Sequence, residues 1–141
     1  MICAGKGAGY EISINDFLGD VDQLLTKNQR VQAILNRIRS TVIRGQLGVN
    51  NAQIVELPVL FNADLAAGTN VDNAIARTTG MVNCLVLPPT KLIVPEPFGP
   101  KNSRGKDVFK QYADRALRGL GLAPLFIDDW VTYHADRKSV V

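Results

Sequence analysis

The chain has 141 residues, of which 46% are apolar and 21% are charged, and it carries a net charge of +3 at pH 7. This length and composition predict one folded domain or a large part of one, and they exclude the disordered class. The charge is too small to indicate a nucleic-acid-binding protein, and no apolar run approaches the roughly 20 residues that span a bilayer, so we expect neither nucleic acid nor a membrane as a partner.

The two cysteines, Cys3 and Cys84, are too far apart in sequence to indicate a disulfide framework, which favours a reducing compartment and hence the cytoplasm. Cys84 lies in an apolar segment, where a free cysteine more often packs as a small hydrophobe than acts as a nucleophile. Cys3 lies in the glycine-rich residues 1–12, which we predict to be a loose N-terminal segment.

A long helix is predicted near the start of the chain. Ser13 and Asp16 stand three residues apart, in the arrangement of a helix capping box. Beyond them, apolar residues recur at spacings of three and four and predict one face of a helix. These residues are Val21, Leu24, Leu25, Val31, Leu35, Ile38 and Val42. Only Asn28 interrupts the face, and Gly45 and Gly48 mark its end.

Short apolar segments predict strands in the middle of the chain. Residues 53–61 are branched and apolar, and they predict a strand with Pro58 near a bend. Residues 62–80 are rich in Ala, Asn, Asp, Gly and Thr, and they predict a long surface loop. Residues 81–87 predict a buried strand, and residues 92–94 predict a second one.

The last third of the chain predicts a turn, a helix and a strand. The three prolines of residues 95–100 remove backbone donors and predict a stiff turn. A helix is predicted from about Lys106 to Gly119, and residues 124–127 predict a strand. The apolar face of this helix is predicted to comprise Val108, Phe109, Tyr112, Ala116 and Leu120. From residue 53 the order is strand, loop, strand, strand, helix, strand, which indicates the α/β class.

Residues 99–107 read G-P-K-N-S-R-G-K-D, close to the pattern of a phosphate-binding loop. Five residues instead of four separate the glycines, and Asp107 stands where a magnesium-binding hydroxyl is needed. We therefore predict a solvated basic loop with Asp107 at a helix N-terminus, where the helix dipole stabilises a carboxylate. The glycines of residues 5–9 follow no predicted strand, so they do not indicate a dinucleotide site.

Asp128 and Asp129 follow a predicted strand, which is where α/β folds place functional groups. Adjacent side chains of an extended backbone point to opposite sides, so at most one faces a pocket, and a surface turn is an equally good interpretation. His134 is the only histidine and suits a general base, but the residues identify no nucleophile beside it. One histidine without a cysteine cluster does not indicate a zinc site, so we predict no metal ligands.

Five segments in the same order resemble the C-terminal part of the protein-arginine deiminases. They are I-V-E-L-P-V-L-F (54–61), M-V-N-C-L-V-L-P (81–88), L-I-V-P-E-P-F-G-P (92–100), G-L-G-L-A-P-L-F-I-D-D-W (119–130) and Y-H (133–134). The resemblance covers residues 20–134, and the joint occurrence of the segments makes it specific. It implies that residues 13–141 are part of the C-terminal catalytic domain. The implied fold is α/β, as an incomplete part of a five-bladed propeller, or pentein, built of ββαβ modules.

The resemblance also implies an activity, the hydrolysis of peptidyl-arginine to peptidyl-citrulline and ammonia (citrullination) on protein or peptide substrates. In the family a cysteine thiolate attacks the guanidinium carbon, two aspartates hold the guanidinium, and a histidine transfers protons. Calcium shapes the site in the animal enzymes. We therefore expect calcium in a full-length enzyme, and no cofactor bound by this chain itself.

The sequence departs from the family at the closing motif, G-E-V-H-C-G-T-N. Here Tyr133 and His134 are followed by A-D-R-K-S-V-V, and the family's cysteine would fall just beyond Val141. The catalytic aspartates, the catalytic histidine and the calcium ligands lie upstream of this segment in the family. The resemblance therefore implies no catalytic residue here, and it leaves four substrate-pocket candidates: Asn83, Asp129, Tyr133 and His134.

These observations predict an incomplete deiminase that is inactive alone, that needs the remainder of the catalytic domain as a partner, and that folds only marginally by itself. The alternative is a non-catalytic interaction module that pairs through an exposed edge of the propeller blade. A further alternative is a basic surface for nucleic acid at Lys101, Arg104 and Lys106. A steep salt dependence of binding would identify that case.

Overall fold

The first helix and its cap follow the sequence prediction. The computed structural model describes residues 12–65 and 71–129. Helix α1 (Ile14–Leu18) begins after Ser13, whose Oγ accepts a hydrogen bond from the Asp16 N–H at 3.0 Å. The Asp16 carboxylate accepts in return from the Ser13 N–H, which completes the predicted capping box. A hydrogen bond also joins this helix to the loop before residue 108, since the Ile14 N–H donates to the Lys101 carbonyl at 2.8 Å.

The long helix begins later than the apolar spacing predicts. Asp20, Asp22 and Gln23 have φ angles of 56°, 56° and 57°. These left-handed residues separate α1 and a short 3₁₀ turn (Val21–Gln23) from α2 (Leu24–Ile38). The helix continues as a π-helical segment (Arg39–Gln46) and ends just before Gly48, which has a φ of 68°. The predicted end is confirmed, whereas Val21, the first residue of the predicted apolar face, lies in the 3₁₀ turn and not in the long helix.

The apolar face that runs along α2 and the π-helical segment is buried over only part of its length. Leu24 and Val31 are buried, whereas Leu35, Ile38 and Val42 are 40%, 45% and 38% exposed. The spacing of three and four residues is as predicted. Within the described residues, however, other side chains pack only against the N-terminal half of this face. The C-terminal half therefore forms an open apolar stripe.

A β-hairpin occupies the region that the sequence predicts to be a strand followed by a loop. Strands β1 (Phe61–Leu65) and β2 (Val71–Ala76) pair antiparallel. The strand predicted over residues 53–61 is wrong, since residues 51–53 form a 3₁₀ turn and residues 54–60 have no regular structure. The loop predicted over residues 62–80 is also wrong. Asn and Asp are depleted in strands generally, but cross-strand pairing overrides this weak preference.

Asn28 explains how the hairpin is held against α2. Its Nδ2 donates to the Phe61 carbonyl at 2.9 Å, and its Oδ1 accepts from the Phe61 N–H at 2.8 Å. The side-chain amide thus satisfies both backbone groups at the start of β1, as a neighbouring strand would. The polar interruption in the apolar face is therefore the residue that joins helix to hairpin.

The C-terminal part of the described chain is a ββαβ module. Its strands are β3 (Leu85–Leu87), β4 (Lys91–Pro95) and β5 (Ala123–Ile127), in the order β3-β4-β5. Strand β4 pairs antiparallel with β3 and parallel with β5. Helix α3 (Val108–Gly119) makes the crossover between the two parallel strands. This module confirms the predicted helix and last strand, whereas Pro95 ends β4 and residues 96–100 have no regular structure.

One face of this sheet forms the core, and the other is open. A cluster of buried side chains lies between the sheet and α3: Met81, Leu92, Val94, Ala113 and Leu117. Alternate residues of a strand point to opposite faces, so the register Leu85–Ile93–Leu125 places these side chains on the face away from α3. Leu85 and Leu125 are 58% and 62% exposed. Nothing in the described part of the chain covers them.

Two details of the module differ from the sequence prediction. The buried strand predicted over residues 81–87 is reduced to the three exposed residues of β3. Tyr112 on α3 and Leu120 just after its end are more than half exposed, and the buried residues of α3 are Ala113 and Leu117. The physical reason is packing, since the small Ala113 lets the helix approach Val94, and both of these side chains are fully buried.

The described residues define a mixed α/β protein, which confirms the predicted class. A five-bladed propeller would require more modules of this type, so that part of the expectation stays a prediction. In the described ranges no helix is both long enough and apolar enough to cross a membrane.

Candidate functional site

Asp129 is the predicted pocket residue with the most unusual surroundings. It lies two residues beyond β5 and is half-buried. Its Oδ1 is buried and has no hydrogen-bond partner among the described residues. A buried carboxylate oxygen without a donor is costly, so such an atom indicates a place where a donor is supplied by something else.

The carboxyl ends of β4 and β5 meet at one edge of the sheet because these strands are parallel. Glu96 follows β4 at this edge, and its N–H donates to the Ile127 carbonyl at 2.7 Å. Asp129 follows β5 at the same edge. The edge where Asp129 lies is therefore the edge at which α/β folds bind ligands.

Three side chains hold this edge in place. Lys110 on α3 forms an ion pair with Glu96, with 2.7 Å between Nζ and Oε2, and its Nζ lies 5.1 Å from the centre of the Phe126 ring. The fully buried Thr79 donates its hydroxyl to the Glu96 carbonyl. Sequence reasoning missed these contacts. The only signal was the pair of prolines around Glu96, which remove donors on both sides of it.

The turn after β4 is packed too tightly for an anion. The Asp107 carboxylate accepts from the Gly99 N–H at 2.7 Å and from the Lys110 N–H at 3.0 Å, and so caps α3. A Cβ at Gly99 would lie 2.6 Å from Phe109 Cγ and 2.8 Å from Asp107 Oδ1. These contacts confirm that Asp107 is a helix cap, because its carboxylate occupies the donors a phosphate would need.

The rest of this loop is basic and solvated, as predicted. Asn102 Oδ1 accepts from the Arg104 N–H at 2.9 Å and from the Lys106 N–H at 3.1 Å, which closes the loop on itself. Both cationic side chains are exposed. Binding of nucleic acid by this loop stays a prediction.

Asn83 lies in the turn that leads into β3. Its N–H donates to the Gly80 carbonyl at 3.0 Å, and its side chain is exposed. Met81, two residues before it, is buried in the core and anchors the turn. No hydrogen bond joins Asn83 to Asp129 within the described residues.

Cys84 is a half-buried side chain that packs against the core cluster. The other half-buried side chains that pack against this cluster are apolar: Leu57, Phe109, Leu122 and Phe126. Packing of this kind, as a small hydrophobe, supports a structural role. Cys3, the glycines of residues 5–9, Tyr133 and His134 lie outside the described residues.

An open depression of about 540 Å³ lies at the C-terminal end of the π-helical segment. Its lining residues are Ser40, Arg44, Gly45, Gly48, Val49 and Asn50. None of these residues was predicted as a site from the sequence, and none belongs to the edge that carries Asp129.

The sequence of the chain is similar to that of known proteins over nearly its whole length. The sequence model of the protein-arginine deiminase family matches residues 4–141. Protein-arginine deiminase type-1 of Mus musculus is 35% identical over 122 residues, which cover 86% of this chain and 17% of that protein. The type-4 enzyme of Mus musculus is 33% identical over 130 residues, which cover 91% of this chain and 18% of that protein.

The type-1 enzyme of Homo sapiens is 32% identical over 124 residues, which cover 86% of this chain and 17% of that protein. The chain therefore belongs to the protein-arginine deiminase family. It spans less than a fifth of the length of these relatives. The resemblance found in the five sequence segments is thus confirmed at the level of the family.

Proposed function

We propose that this chain forms part of the catalytic domain of a protein-arginine deiminase, which hydrolyses peptidyl-arginine to peptidyl-citrulline and ammonia. The observation that carries the proposal is the family match over residues 4–141. The arginine-containing protein or peptide substrate follows from the names of the relatives. The mixed three-stranded sheet with α3 on one face supports a further step, in which the ββαβ module is one blade of a five-bladed propeller.

Asp129 is the described residue that we propose for the substrate pocket. A guanidinium presents planar N–H donors, and a carboxylate accepts them in charge-assisted hydrogen bonds. The buried Oδ1 of Asp129 is an acceptor without a partner among the described residues, at the edge where ligands bind. Asn83, Tyr133 and His134 remain pocket predictions, the last two outside the described residues.

In the proposed reaction a thiolate adds to the guanidinium carbon, ammonia leaves with a transferred proton, and water then releases the urea group and regenerates the thiol. Cys84 is unsuited to the first step, since it packs against the apolar core. We therefore propose that the nucleophile is supplied by the remainder of the catalytic domain, and that this chain builds part of its surroundings.

Calcium does not enter these steps. In the part of the chain that the structure describes, no group of three or more His, Cys, Asp or Glu side chains is placed to hold a metal ion. The described residues therefore do not fit a calcium site, and a site in a full-length enzyme would use other residues. The cytoplasmic location inferred from the two cysteines stays a prediction.

The proposal is tested by measuring citrulline formation from an arginine peptide by the 141-residue chain, with and without calcium. We expect no turnover, because the only described cysteine is half-buried and packs against the core. Turnover that disappears in the Cys84→Ala variant would contradict the structural role of this residue.

A binding measurement tests the pocket separately from turnover. Titration with a benzoyl-arginine amide, followed by NMR, is expected to shift the signals of Asp129 and its neighbours, whereas the matched benzoyl-lysine amide is not. The Asp129→Asn variant should lose the arginine-specific shift, because the amide removes the negative charge. Equal shifts with both ligands would contradict the pocket role.

A non-catalytic interaction module is the second candidate function. Strand β3 lies at the edge of its sheet, and Val86 within it is 62% exposed. An exposed apolar edge strand pairs readily with another chain. If edge pairing is the function, Val86→Lys should abolish association on size-exclusion chromatography without changing the helical content.

A further inference from the structure

Lys110 lies in the first turn of α3, and its backbone is fixed relative to the sheet. Its N–H donates to Asp107 Oδ1 at 3.0 Å. The other oxygen of that carboxylate accepts from the Gly99 N–H at 2.7 Å, in the turn after β4. One carboxylate therefore joins the start of the helix to this turn, and the Lys110 side chain begins from a defined place.

The ammonium of Lys110 contacts one group at the end of each parallel strand. Its Nζ lies 2.7 Å from Oε2 of Glu96, which follows β4, and 5.1 Å from the centre of the Phe126 ring on β5. The Glu96 side chain is only 21% exposed, so solvent screens this pair less than it screens an open surface pair. A cation that contacts both a carboxylate and an aromatic face is stabilised by each of them. Lys110 therefore joins α3 to the ends of both strands.

Glu96 connects this ion pair to the segment that carries Asp129. The Glu96 N–H donates to the Ile127 carbonyl at 2.7 Å, two residues before Asp129, and the Glu96 carbonyl accepts from the Thr79 hydroxyl. A proline on each side of Glu96 restricts the backbone further. The end of β5, from which Asp129 leaves the sheet, is thus held by a residue whose side chain is bound to Lys110.

We propose that Lys110 is a positioning residue for the substrate. By holding Glu96 and Phe126, it keeps the end of β5 where the Asp129 carboxylate can accept from a guanidinium. The inference rests on the proposed pocket role of Asp129. Charge-assisted hydrogen bonds depend on distance and angle, so a small displacement of the carboxylate weakens them. Lys110 itself does not contact the substrate, because its ammonium is already bound to Glu96.

Amide hydrogen exchange in the unliganded 141-residue chain tests the positioning directly. Lys110→Met removes the ammonium and keeps an apolar stem. It is expected to accelerate exchange of the Glu96 amide at least about tenfold and to shift the NMR signal of the Asp129 amide. Arg118→Met is the matched control, because it breaks an ion pair on the same helix, with 2.9 Å between Arg118 Nε and Asp114 Oδ1. The control should change neither signal.

Binding measurements connect the position of Asp129 to the substrate. The affinity for the benzoyl-arginine amide is expected to fall about tenfold in Lys110→Met. Lys110→Arg keeps a cation that pairs with a carboxylate and stacks on an aromatic ring, so it should restore the affinity to within about twofold. Glu96→Gln breaks the same ion pair from the other side and should weaken binding as Lys110→Met does. It replaces Lys110→Met if circular dichroism shows that this variant does not fold.

A destabilising variant far from this edge separates positioning from a general loss of structure. Asn28→Ala removes both hydrogen bonds between α2 and the start of β1 and touches no residue near Asp129. Its affinity for the benzoyl-arginine amide, corrected for the folded fraction, should stay within about twofold of the unmodified chain. If Lys110 acted only on stability, the two variants would lose affinity in proportion to their stability.

Four results would overturn the proposal while the pocket role of Asp129 stands. They are unchanged exchange of the Glu96 amide in Lys110→Met, undiminished binding by that variant, no rescue by Lys110→Arg, and an equal loss in Arg118→Met or Asn28→Ala. Absence of arginine-specific binding by the unmodified chain would contradict the pocket role itself, and this proposal with it. The binding of the unmodified chain therefore distinguishes the two failures.

Discussion

Asp20 shows how one side chain can start a helix from an unfavourable backbone. Its φ of 56° lies in the left-handed region, which non-glycine residues rarely adopt. Its carboxylate accepts from the Thr26 N–H at 2.9 Å and from the Thr26 hydroxyl at 2.5 Å. The hydroxyl hydrogen bond is the main cause of the lowered pKa of Asp20, and the backbone hydrogen bond adds to it.

This lowered pKa predicts a dependence of stability on pH. The pKa is below the ordinary value of 3.8, so the contribution of Asp20 is present above pH 3.8 and is lost as pH falls through the lowered pKa. Thr26→Val removes the hydroxyl but keeps the backbone donor. We expect the pKa of Asp20 in this variant, followed by NMR, to rise toward 3.8.

Urea unfolding of the same variant gives a second measurement. The stability difference between the unmodified chain and Thr26→Val should be larger at neutral pH than at a pH below the pKa of Asp20. Thr41→Val is the matched control, because the Thr41 hydroxyl donates to the Arg37 carbonyl and not to a carboxylate. A difference that is independent of pH would contradict this account.

At the scale of elements, one side-chain amide, that of Asn28, joins α2 to the hairpin by two hydrogen bonds. Asn28→Ala is expected to destabilise the chain by about 1–3 kcal/mol, because it leaves the N–H and carbonyl of Phe61 without their partner. The free energy of unfolding from urea titration measures this loss. Hydrogen exchange of the Phe61 amide, which should accelerate, locates it.

Asn36→Ala is the matched control on the same helix. Asn36 accepts a hydrogen bond from the exposed Gln32 side chain, so its removal should change stability by no more than about 0.5 kcal/mol. Equal effects of the two substitutions would show that Asn28 acts through helix propensity and not through the hairpin.

Elements whose signal is local could be predicted from the sequence. The Ser13 capping box, the prolines of residues 95–100 and the apolar periodicity of α3 each depend on neighbours in sequence. The hairpin could not be predicted, because its strands are polar and its first residue is bonded by Asn28, far away in the chain. The prediction of which α3 side chains are buried was wrong because burial depends on a distant element. Ala113 is buried by packing with the side chains of β4, which lies far from it in sequence.

The candidate site was predictable only in part. Asp129 was identified because it follows a strand, and the structure adds that its Oδ1 is buried without a partner in the described residues. The contacts of Glu96 with Thr79 and Lys110 join three elements, and no spacing in the sequence indicates them. Tyr133 and His134 lie outside the described residues, so their roles stay predictions.

At the scale of the whole molecule, two apolar surfaces are open within the described residues. One is the sheet face with Leu85, Leu125 and Ile127, and the other is the stripe on α2 with Leu35 and Ile38. Exposed apolar area of this extent weakens cooperative folding, because it removes contacts that would couple the elements.

We therefore expect a broad thermal transition of the 141-residue chain, monitored by circular dichroism, together with binding of the dye ANS before the transition. Leu125→Lys should reduce dye binding, whereas Arg115→Lys, on the solvent side of α3, should leave it unchanged. A sharp transition of a monomer without dye binding would contradict the prediction.

The hydrogen bonds between the start of α1 and the loop before α3 have a consequence for kinetics. The Lys101 N–H donates to the Ile12 carbonyl at 2.8 Å, and the Lys101 carbonyl accepts from Ile14. Contacts between such distant parts of a chain close a large loop and form late on the folding pathway. A change that removes these hydrogen bonds of Lys101 should therefore raise the unfolding rate, while the folding rate hardly changes.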